Sequence, residues 1–208
     1  MFFSFDGIDG TGKTTQMRLF CDMLYARGLD VVVCRDPGST PLGEQIRQLL
    51  LNTAANTPIG RRSEMLLYMA ARAQLVDEVI QPALDAKQIV VCDRYLMANV
   101  VYQGHAGGLD PADVRAVGQI ATGGLMPDCV FLLDMFPEAA RRRLNRPLDR
   151  MENQGLEYSR KLRDGFLSEA SRSDSRAHVI DGDRPIDIVQ TDIRRIALRL
   201  LSMEDFGN

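Results

Sequence analysis

The chain has 208 residues, a length that suits one compact domain with its own core. Hydrophobic residues make up 45% and charged residues 25%, with a net charge of −3, which excludes a disordered chain and a broad basic face for nucleic acid. No apolar run reaches the roughly 18 residues of a membrane span and no signal-peptide pattern opens the chain, so we expect a cytoplasmic protein without nucleic-acid or membrane partners.

Apolar, strand-like runs alternate with helical patterns from one end of the chain to the other. We expect strands at residues 2–5, 31–34, 89–92, 130–133 and 178–180, and helices at 13–27, 41–51, 63–86, 111–121, 137–145, 155–172 and 186–203. Strands that are apolar throughout are typical of a parallel sheet covered on both faces. The alternation therefore predicts right-handed crossovers, a five-stranded parallel sheet and a three-layer α/β/α fold in a single domain over residues 1–208.

Residues 7–14 form a glycine-rich loop between the first strand and the first helix, with the pattern glycine, four residues, Gly-Lys-Thr. In this P-loop pattern, backbone N–H groups surround a phosphate and the start of the next helix favours negative charge. Lys13 would reach the terminal phosphates, and Thr14 would offer its hydroxyl to Mg²⁺. The pattern indicates a P-loop NTPase fold and predicts a nucleotide-binding set of Gly7, Ile8, Asp9, Gly10, Thr11, Gly12, Lys13, Thr14 and Thr15.

Two further polar clusters follow predicted strands. Arg35 precedes a Pro-Gly turn after the second strand, and Asp93 and Arg94 follow the third. Because ligands bind beyond the carboxyl ends of parallel strands, we expect these clusters and the P-loop to share one site. Asp93 stands where a Walker B carboxylate holds Mg²⁺, and Arg94 would balance charge that moves between phosphates. The alternatives are a surface arginine in an ordinary loop and a structural Asp93–Arg94 pair.

Two sets of polar side chains recur at helical spacing, so each set would share one helical face. The sets are Glu64, Tyr68 and Arg72 in helix 63–86, and Asn99, Tyr102 and Gln103 after the third strand. An aromatic ring could stack on a base while the arginine and the amides bind its edge. The alternatives are a core tyrosine beside a surface salt bridge for the first set, and an ordinary solvated face for the second.

Asp9 is unusual because a carboxylate inside a phosphate cradle is electrostatically unfavourable. It would have to be aimed elsewhere, at a sugar hydroxyl or a metal-bound water. The alternative is a variable loop position that happens to be acidic.

The cysteines Cys21, Cys34, Cys92 and Cys129 lie far apart, and most of them stand in or beside apolar runs. We expect buried, reduced thiols, the alternatives being a metal site or a disulfide. With only two histidines in the chain, a zinc site is not expected.

Taken in order, the motifs of this chain resemble the thymidylate kinase family from about residue 3 to residue 188. The motifs are Asp6-Gly7-Ile8-Asp9-Gly10-Thr11-Gly12-Lys13-Thr14-Thr15-Gln16, Arg35-Asp36-Pro37-Gly38, Tyr68-Met69-Ala70-Ala71-Arg72-Ala73-Gln74, Asp93-Arg94-Tyr95, Tyr102-Gln103-Gly104, Gly123-Gly124-Leu125-Met126-Pro127-Asp128 and Leu148-Asp149-Arg150-Met151-Glu152. The resemblance implies Mg²⁺-dependent transfer of the γ-phosphate of ATP to dTMP, giving ADP and dTDP for dTTP synthesis. It also implies ATP at the P-loop residues and a homodimer.

For the sugar and phosphate of dTMP, the resemblance points to four residues. Asp9 would meet the 3′-hydroxyl side, and Arg35 and Arg94 would hold the phosphate. Tyr102 would lie beneath the sugar, where it would exclude a 2′-hydroxyl.

For the base, the resemblance implies that Arg72 donates to O4 of thymine. Tyr68 stands in place of the family's usual stacking phenylalanine and keeps the aromatic face. Asn99 and Gln103 would lie near the base edge, although members commonly carry Asp-Ser-Thr where residues 97–99 of this chain are Met-Ala-Asn.

Members of the family differ in where their catalytic arginines come from. Some carry one in the P-loop, at the position of Gly10, whereas others supply them from a lid. The resemblance therefore assigns catalysis to a short lid at about residues 143–154, which carries Arg143, Arg146 and Arg150, together with Lys13 and Arg94. Proline at 147 disfavours helix at the residue before it, which supports a loop from that point.

The sequence alone leaves three rival functions open. The first is another P-loop mononucleotide kinase, and the second is a GTPase or regulatory ATPase. No Asn-Lys-x-Asp tetrapeptide, typical of guanine-reading GTPases, occurs in the sequence. The third is a nucleotide-binding module without catalysis, against which the intact Lys13, Thr14, Asp93 and Arg94 argue.

Overall fold

The described part of the protein, in a computed structural model, comprises residues 1–51, 58–144, 154–172 and 176–204. Its centre is a parallel five-stranded sheet with the strand order β2-β3-β1-β4-β5. The strands are β1 (Phe2–Asp6), β2 (Val31–Arg35), β3 (Ile89–Asp93), β4 (Cys129–Asp134) and β5 (Ala177–Asp181). The predicted α/β/α fold with five parallel strands is confirmed, and the register places Phe5 of β1 beside Asp93 of β3.

Helices connect the strands and cover both faces of the sheet. They are α1 (Lys13–Tyr25), α2 (Pro41–Leu51), α3 (Arg61–Leu75), α4 (Gln81–Asp85), α5 (Leu96–Asn99), α6 (Pro111–Thr122), α7 (Pro137–Arg143), α8 (Leu156–Ala170) and α9 (Ile186–Glu204). The predicted helix 63–86 is divided by a π-helical turn, Val76–Ile80, and a second π-helical turn, Val100–His105, continues α5. α5 lies outside the helices predicted from the sequence.

Local chemistry explains several helix ends. The side chain of Asp110 accepts a hydrogen bond from the N–H of Ala112 at 2.7 Å, and Pro111 occupies the first turn of α6. Gly123 ends the same helix in the left-handed conformation, with φ of 58°. These are the cap signals expected at the two ends of a helix, and they fix where the loop after α6 begins.

Alternate side chains of β1 enter different halves of the core. Phe3 packs edge-on against Phe20 of α1, with ring centres 5.1 Å apart, and is stacked with Phe131 of β4. Phe2 points to the opposite face and meets the ring of Tyr95 edge-on at 5.0 Å. Because both faces of β1 are buried, the strand is held firmly, and its carboxyl end positions the P-loop that follows.

Two predictions made from the composition of the chain concern its cysteines and membrane-spanning helices. All four cysteines are buried free thiols, as their apolar surroundings predicted. Burial raises the pKa of Cys129 to about 12, so this thiol stays protonated. Within the described ranges no helix combines the length and the apolar character that crossing a bilayer requires.

Candidate active site

A cavity of about 1030 Å³ opens at the carboxyl ends of β1, β2 and β3. The three strand-end clusters identified in the sequence meet there. Of the predicted site residues, its lining contains Asp9, Gly10, Thr11, Gly12, Lys13, Thr14, Thr15, Arg35, Tyr68, Arg72, Asp93, Arg94, Asn99, Tyr102, Gln103 and Arg143. Gly7 and Ile8 contribute through their carbonyl oxygens, which accept hydrogen bonds from Lys13.

The P-loop is packed too closely for side chains at two of its glycines. Gly7 has φ of +130°, and a Cβ there would lie 2.4 Å from the carbonyl oxygen of Leu133. Gly10 has φ of +87°, and a Cβ there would lie 2.2 Å from the carbonyl oxygen of Ala140 in α7. Glycine is therefore required at both positions by conformation and by space, and the loop runs directly into the start of α1.

Lys13 is held inside the loop. Its Nζ donates to the carbonyl oxygens of Gly7 at 3.0 Å and Ile8 at 2.9 Å, and lies 3.5 Å from Oδ1 of Asp9. Burial, reinforced by the charge of Arg94, lowers the pKa of Lys13 below its usual value. The ammonium is thus held against the glycine-rich loop by acceptors of the loop itself.

Asp9 is directed across the cavity. Its Oδ1 accepts a hydrogen bond from Nη2 of Arg94 at 2.6 Å, and its Oδ2 accepts one from the hydroxyl of Tyr102 at 3.2 Å. Burial alone would raise the pKa of this carboxyl, but the charges of Arg94 and Lys13 hold it well below its usual range. Asp9 is therefore an anion that joins the P-loop to the helical segment bearing Tyr102.

Arg94 pairs with the P-loop instead of its neighbour Asp93. Its Nη1 donates to the carbonyl oxygen of Gly7 at 2.9 Å, and its guanidinium carbon lies 5.2 Å from the ring centre of Tyr102. The backbone of Arg94 has φ of 67°, a left-handed conformation that is uncommon outside glycine and recurs at functional sites. The alternative of a structural Asp93–Arg94 pair is wrong.

The predicted helical faces form one buried polar wall. Nε of Arg72 donates to Oδ2 of Asp36 at 2.5 Å, and Nη2 of Arg72 donates to Oδ1 of Asn99. Nδ2 of Asn99 donates to Oε1 of Gln103 at 2.7 Å, and Nε2 of Gln103 donates to Oε1 of Glu64 at 3.0 Å. Arg72 is only 1% exposed, so the alternative of a surface salt bridge is wrong for this residue.

Two carboxyl groups near this wall are strongly influenced by burial. Burial raises the pKa of Asp36 above its usual value, against the opposing charge of Arg72. Burial raises the pKa of Asp6 to about 7, against the charges of Arg94 and Lys13. Within the described residues neither carboxyl oxygen of Asp6 has a hydrogen-bond partner. Asp6 is therefore an acid whose proton is held by its surroundings near neutral pH.

The remaining predicted arginines lie at the rim of the cavity. Arg35 donates from Nε and Nη2 to the carboxylate of Glu44, at 3.3 and 2.8 Å. Arg143 donates to the carbonyl oxygen of Gly182 and to Oδ1 of Asp183, both at 3.0 Å. Arg146 and Arg150, and with them most of the predicted lid, lie outside the described residues.

Two further arginines line the cavity in the described structure, and the sequence patterns did not predict either of them. Arg47 of α2 donates to the carbonyl oxygen of Pro37 at 3.0 Å, and Arg184 donates to Asp192 at 2.7 Å. A signal existed for Arg184, because it follows β5 and the strand-end rule applies there as it does after β1, β2 and β3. Arg47 could be placed only by knowing how α2 packs beside the loop after β2.

Comparison with known proteins extends over nearly the whole chain. The family model described as thymidylate kinase matches residues 5–193. The thymidylate kinase of Symbiobacterium thermophilum is 42% identical over 202 residues, covering 97% of this chain and 94% of that protein. Those of Bifidobacterium longum and a Thermoanaerobacter species are 41% and 40% identical, covering 95% and 96% of this chain and 98% of each relative. The chain belongs to the thymidylate kinase family.

Proposed function

We propose that this protein is a dTMP kinase, which transfers the γ-phosphate of ATP to dTMP and gives ADP and dTDP. One observation carries the proposal beyond the family match: a P-loop and a buried polar wall line the same cavity. The P-loop suits a phosphate donor, and the Arg72–Asn99–Gln103 wall suits an acceptor that carries a base. A GTPase switch or a simple nucleotide-binding module would have no use for the second feature.

On the donor side, the P-loop residues 7–15 would hold the phosphates of ATP. Backbone N–H groups and the N-terminal end of α1 favour the anion, and Lys13 supplies a positive charge at the terminal phosphates. Phosphoryl transfer needs little covalent help from the protein, so alignment and charge neutralisation dominate its catalysis.

Mg²⁺ fits the residues at the base of this loop. The Oδ1 of Asp93 is buried without a hydrogen-bond partner in the described part of the chain, and the exposed side chain of Thr14 lines the same cavity. Mg²⁺ prefers oxygen ligands and usually combines one or two carboxylates with phosphate oxygens and water. Thr14 and Asp93 would therefore hold the ion, which neutralises phosphate charge when bound.

On the acceptor side, the contacts suggest a division of labour for dTMP. Asp9 and Tyr102 would meet the deoxyribose, and Arg94 would hold the phosphate between Asp9 and the P-loop. Arg35 would join it from the rim, where the arginine and its partner Glu44 are both partly exposed. A phosphate could therefore draw the guanidinium away from this surface ion pair, because such pairs are worth little in water.

For the base, Tyr68 would stack on thymine, Arg72 would donate to O4, and Asn99 and Gln103 would complete the edge. Cytosine carries an amino donor in place of O4, so it would set donor against donor at Arg72. Such a mismatch at a buried site can cost about 10⁴-fold in kcat/KM, whereas the missing methyl of uracil costs about 10- to 200-fold.

Charge on the transferring phosphate would be balanced by Lys13, Arg94 and the lid. Arg143 stands at the cavity rim, and Arg146 and Arg150 would belong to the same lid of about residues 143–154. Closure of such a segment excludes water, which protects ATP from hydrolysis and strengthens the charges inside.

The proposal is tested by measuring ADP release with ATP, Mg²⁺ and each of dTMP, dUMP and dCMP, beside a control without acceptor. We expect rapid turnover of dTMP, slow turnover of dUMP and almost none of dCMP. Equal turnover of dCMP and dTMP, or ADP release that needs no acceptor, would overturn the assignment.

A homodimer is also proposed. Leu66 of α3 is 53% exposed and Ile120 of α6 is 83% exposed, and these two helices pack against each other. Apolar side chains of this size on adjoining helices are suited to a second copy of the chain. Light scattering coupled to size-exclusion chromatography tests this, and a mass of about 23.2 kDa would exclude the dimer.

A further inference from the structure

Glu64 has no place in the proposed chemistry, yet it ends the polar wall of the cavity. Its side chain lies behind the lining, 9% exposed, and its Oε1 accepts the hydrogen bond from Gln103. From there the bonds continue through Asn99 to Arg72, whose Nε is held by the buried carboxylate of Asp36. We call this series, from Glu64 to Arg72, the amide relay.

The two ends of the amide relay dictate how both amides are turned. Arg72 can only donate hydrogen bonds, and a carboxylate such as that of Glu64 can only accept them. Asn99 must therefore face Arg72 with its oxygen, and Gln103 must face Glu64 with its nitrogen. Reversing the amides would set donor against donor at one end and acceptor against acceptor at the other, which leaves buried polar groups unpaired.

The orientation of Asn99 matters for the choice of base. Its Oδ1 stands beside the guanidinium of Arg72, so the wall offers an acceptor next to a donor. Thymine presents the complementary pair, the acceptor O4 next to the donor N3–H. Cytosine presents the opposite pair, a donor amino group next to an acceptor nitrogen. If the side-chain amide of Asn99 were rotated by 180°, the wall would no longer offer an acceptor next to the donor of Arg72, and it would therefore no longer distinguish thymine from cytosine.

We propose that Glu64 is a specificity-determining positioning residue, which holds Gln103, and through it Asn99, in the hydrogen-bond polarity that Arg72 selects from the other end and thereby favours thymine over cytosine. The inference rests on the proposed dTMP kinase function and adds a residue to it. Glu64 and Arg72 belong to the same helix, α3, whereas Asn99 and Gln103 belong to α5 and the π-helical turn after it. The amides are thus held from both ends by one rigid element.

The test compares substitutions that keep or remove the accepting atom. Glu64→Met and Glu64→Leu remove the accepting atom with two different apolar side chains. The test can therefore be made even if only one of the two variants folds. Glu64→Gln keeps an oxygen that can accept from Gln103. Glu78→Met is the matched control, because Glu78 accepts a hydrogen bond from Gln74 in the same way but on the exposed surface. Steady-state kinetics with dTMP, dCMP and ATP, and thermal unfolding, are measured for each.

In the apolar variants we expect the ratio of kcat/KM for dTMP over dCMP to fall about tenfold or more, mainly through a higher KM for dTMP. The KM for ATP should stay within about twofold, because Lys13 is held by carbonyl oxygens of the P-loop itself and not by the amide relay. Glu64→Gln should keep the ratio within about threefold of the wild type, since it keeps the acceptor. Glu78→Met should not change it.

A ratio that stays unchanged in the folded apolar variants would overturn the inference. So would a fall of equal size in Glu64→Gln and Glu64→Met, because the accepting atom would then be irrelevant. A wild-type protein without preference for dTMP would overturn both the proposed function and the role of Glu64. An unchanged ratio beside an intact wild-type preference would overturn the role of Glu64 alone.

Discussion

The close approach of the P-loop to α7 can be tested by the variant Gly10→Ala. A Cβ at Gly10 would lie 2.2 Å from the carbonyl oxygen and 2.9 Å from the carbonyl carbon of Ala140, both backbone atoms that cannot rotate away. Gly12 provides a matched control in the same loop. It has nearly the same φ, +93° against +87°, but no heavy atom of the described structure lies within 4 Å of a Cβ placed there.

The two variants share one cost and differ in another. An L-residue held in the left-handed region costs about 1 to 3 kcal/mol, and both alanines bear this strain. Forcing an extra methyl group into a packed contact adds about 1 to 3 kcal/mol, and only Gly10→Ala bears this second cost. At about 2 to 4 °C per kcal/mol for a chain of this size, Gly10→Ala should melt roughly 2 to 12 °C below Gly12→Ala.

Thermal and urea unfolding, both measured without nucleotide, give the two free energies of unfolding. Nucleotide is omitted because its binding to the P-loop of either variant would mask the difference in stability between the two variants. Equal melting temperatures for the two variants would refute the steric argument at Gly10. The same contact predicts that Gly10→Arg would destabilise the protein, so an arginine in the P-loop could not simply take over the role proposed for the lid.

Three further outcomes follow from the site. Lys13→Ala and Arg94→Ala should each lower kcat at least about 100-fold in the ADP-release assay while the circular dichroism spectrum is kept, and an unchanged kcat would contradict the role of either residue. Arg72→Ala should narrow the gap in kcat/KM between dTMP and dCMP; an unchanged gap would remove Arg72 from base recognition. Asp6 has a folded pKa of about 7 against 3.8 for the free side chain, so its contribution to stability is present below pH 3.8 and is lost as the pH rises to 7. The free energy of unfolding of Asp6→Asn, measured in urea with EDTA, should therefore rise relative to that of the wild type as the pH increases from 5 to 8. A difference between the two free energies that does not vary with pH would show that Asp6 does not titrate in this range.

The sequence predicted the strands, the order of layers and the meeting of three loops, because these follow from periodicity and from the geometry of parallel sheets. The spacing of Glu64 and Arg72 also predicted a shared face correctly. Spacing does not tell in which direction that face points, so it left open whether Arg72 is exposed. Its buried partner Asp36 is 36 positions away and becomes its neighbour only through the packing of α3 beside the loop after β2.

Other features depend on side-chain partners and on local helix geometry, which a sequence pattern does not reveal. Arg35 lines the cavity, as expected, but the pattern did not show that α2 begins so soon after β2 that Glu44 reaches its guanidinium at 2.8 Å. The π-helical turn Val100–His105 brings Tyr102 to Asp9 and Gln103 to Glu64, whereas the sequence predicted only a helical turn there. Such turns are rare and often occur at functional sites.

The inward-facing bonds of Lys13 bear on how nucleotides enter and leave. Two of its three N–H donors are directed at the carbonyl oxygens of Gly7 and Ile8, at 3.0 and 2.9 Å. A phosphate in the proposed site would share the third N–H of Lys13 or replace one of these carbonyl oxygens as its acceptor. Where it replaces a carbonyl, part of its attraction is offset by the bond that is lost. The loop would then compete with the phosphate for the ammonium, which would lower the affinity for ATP and ADP alike.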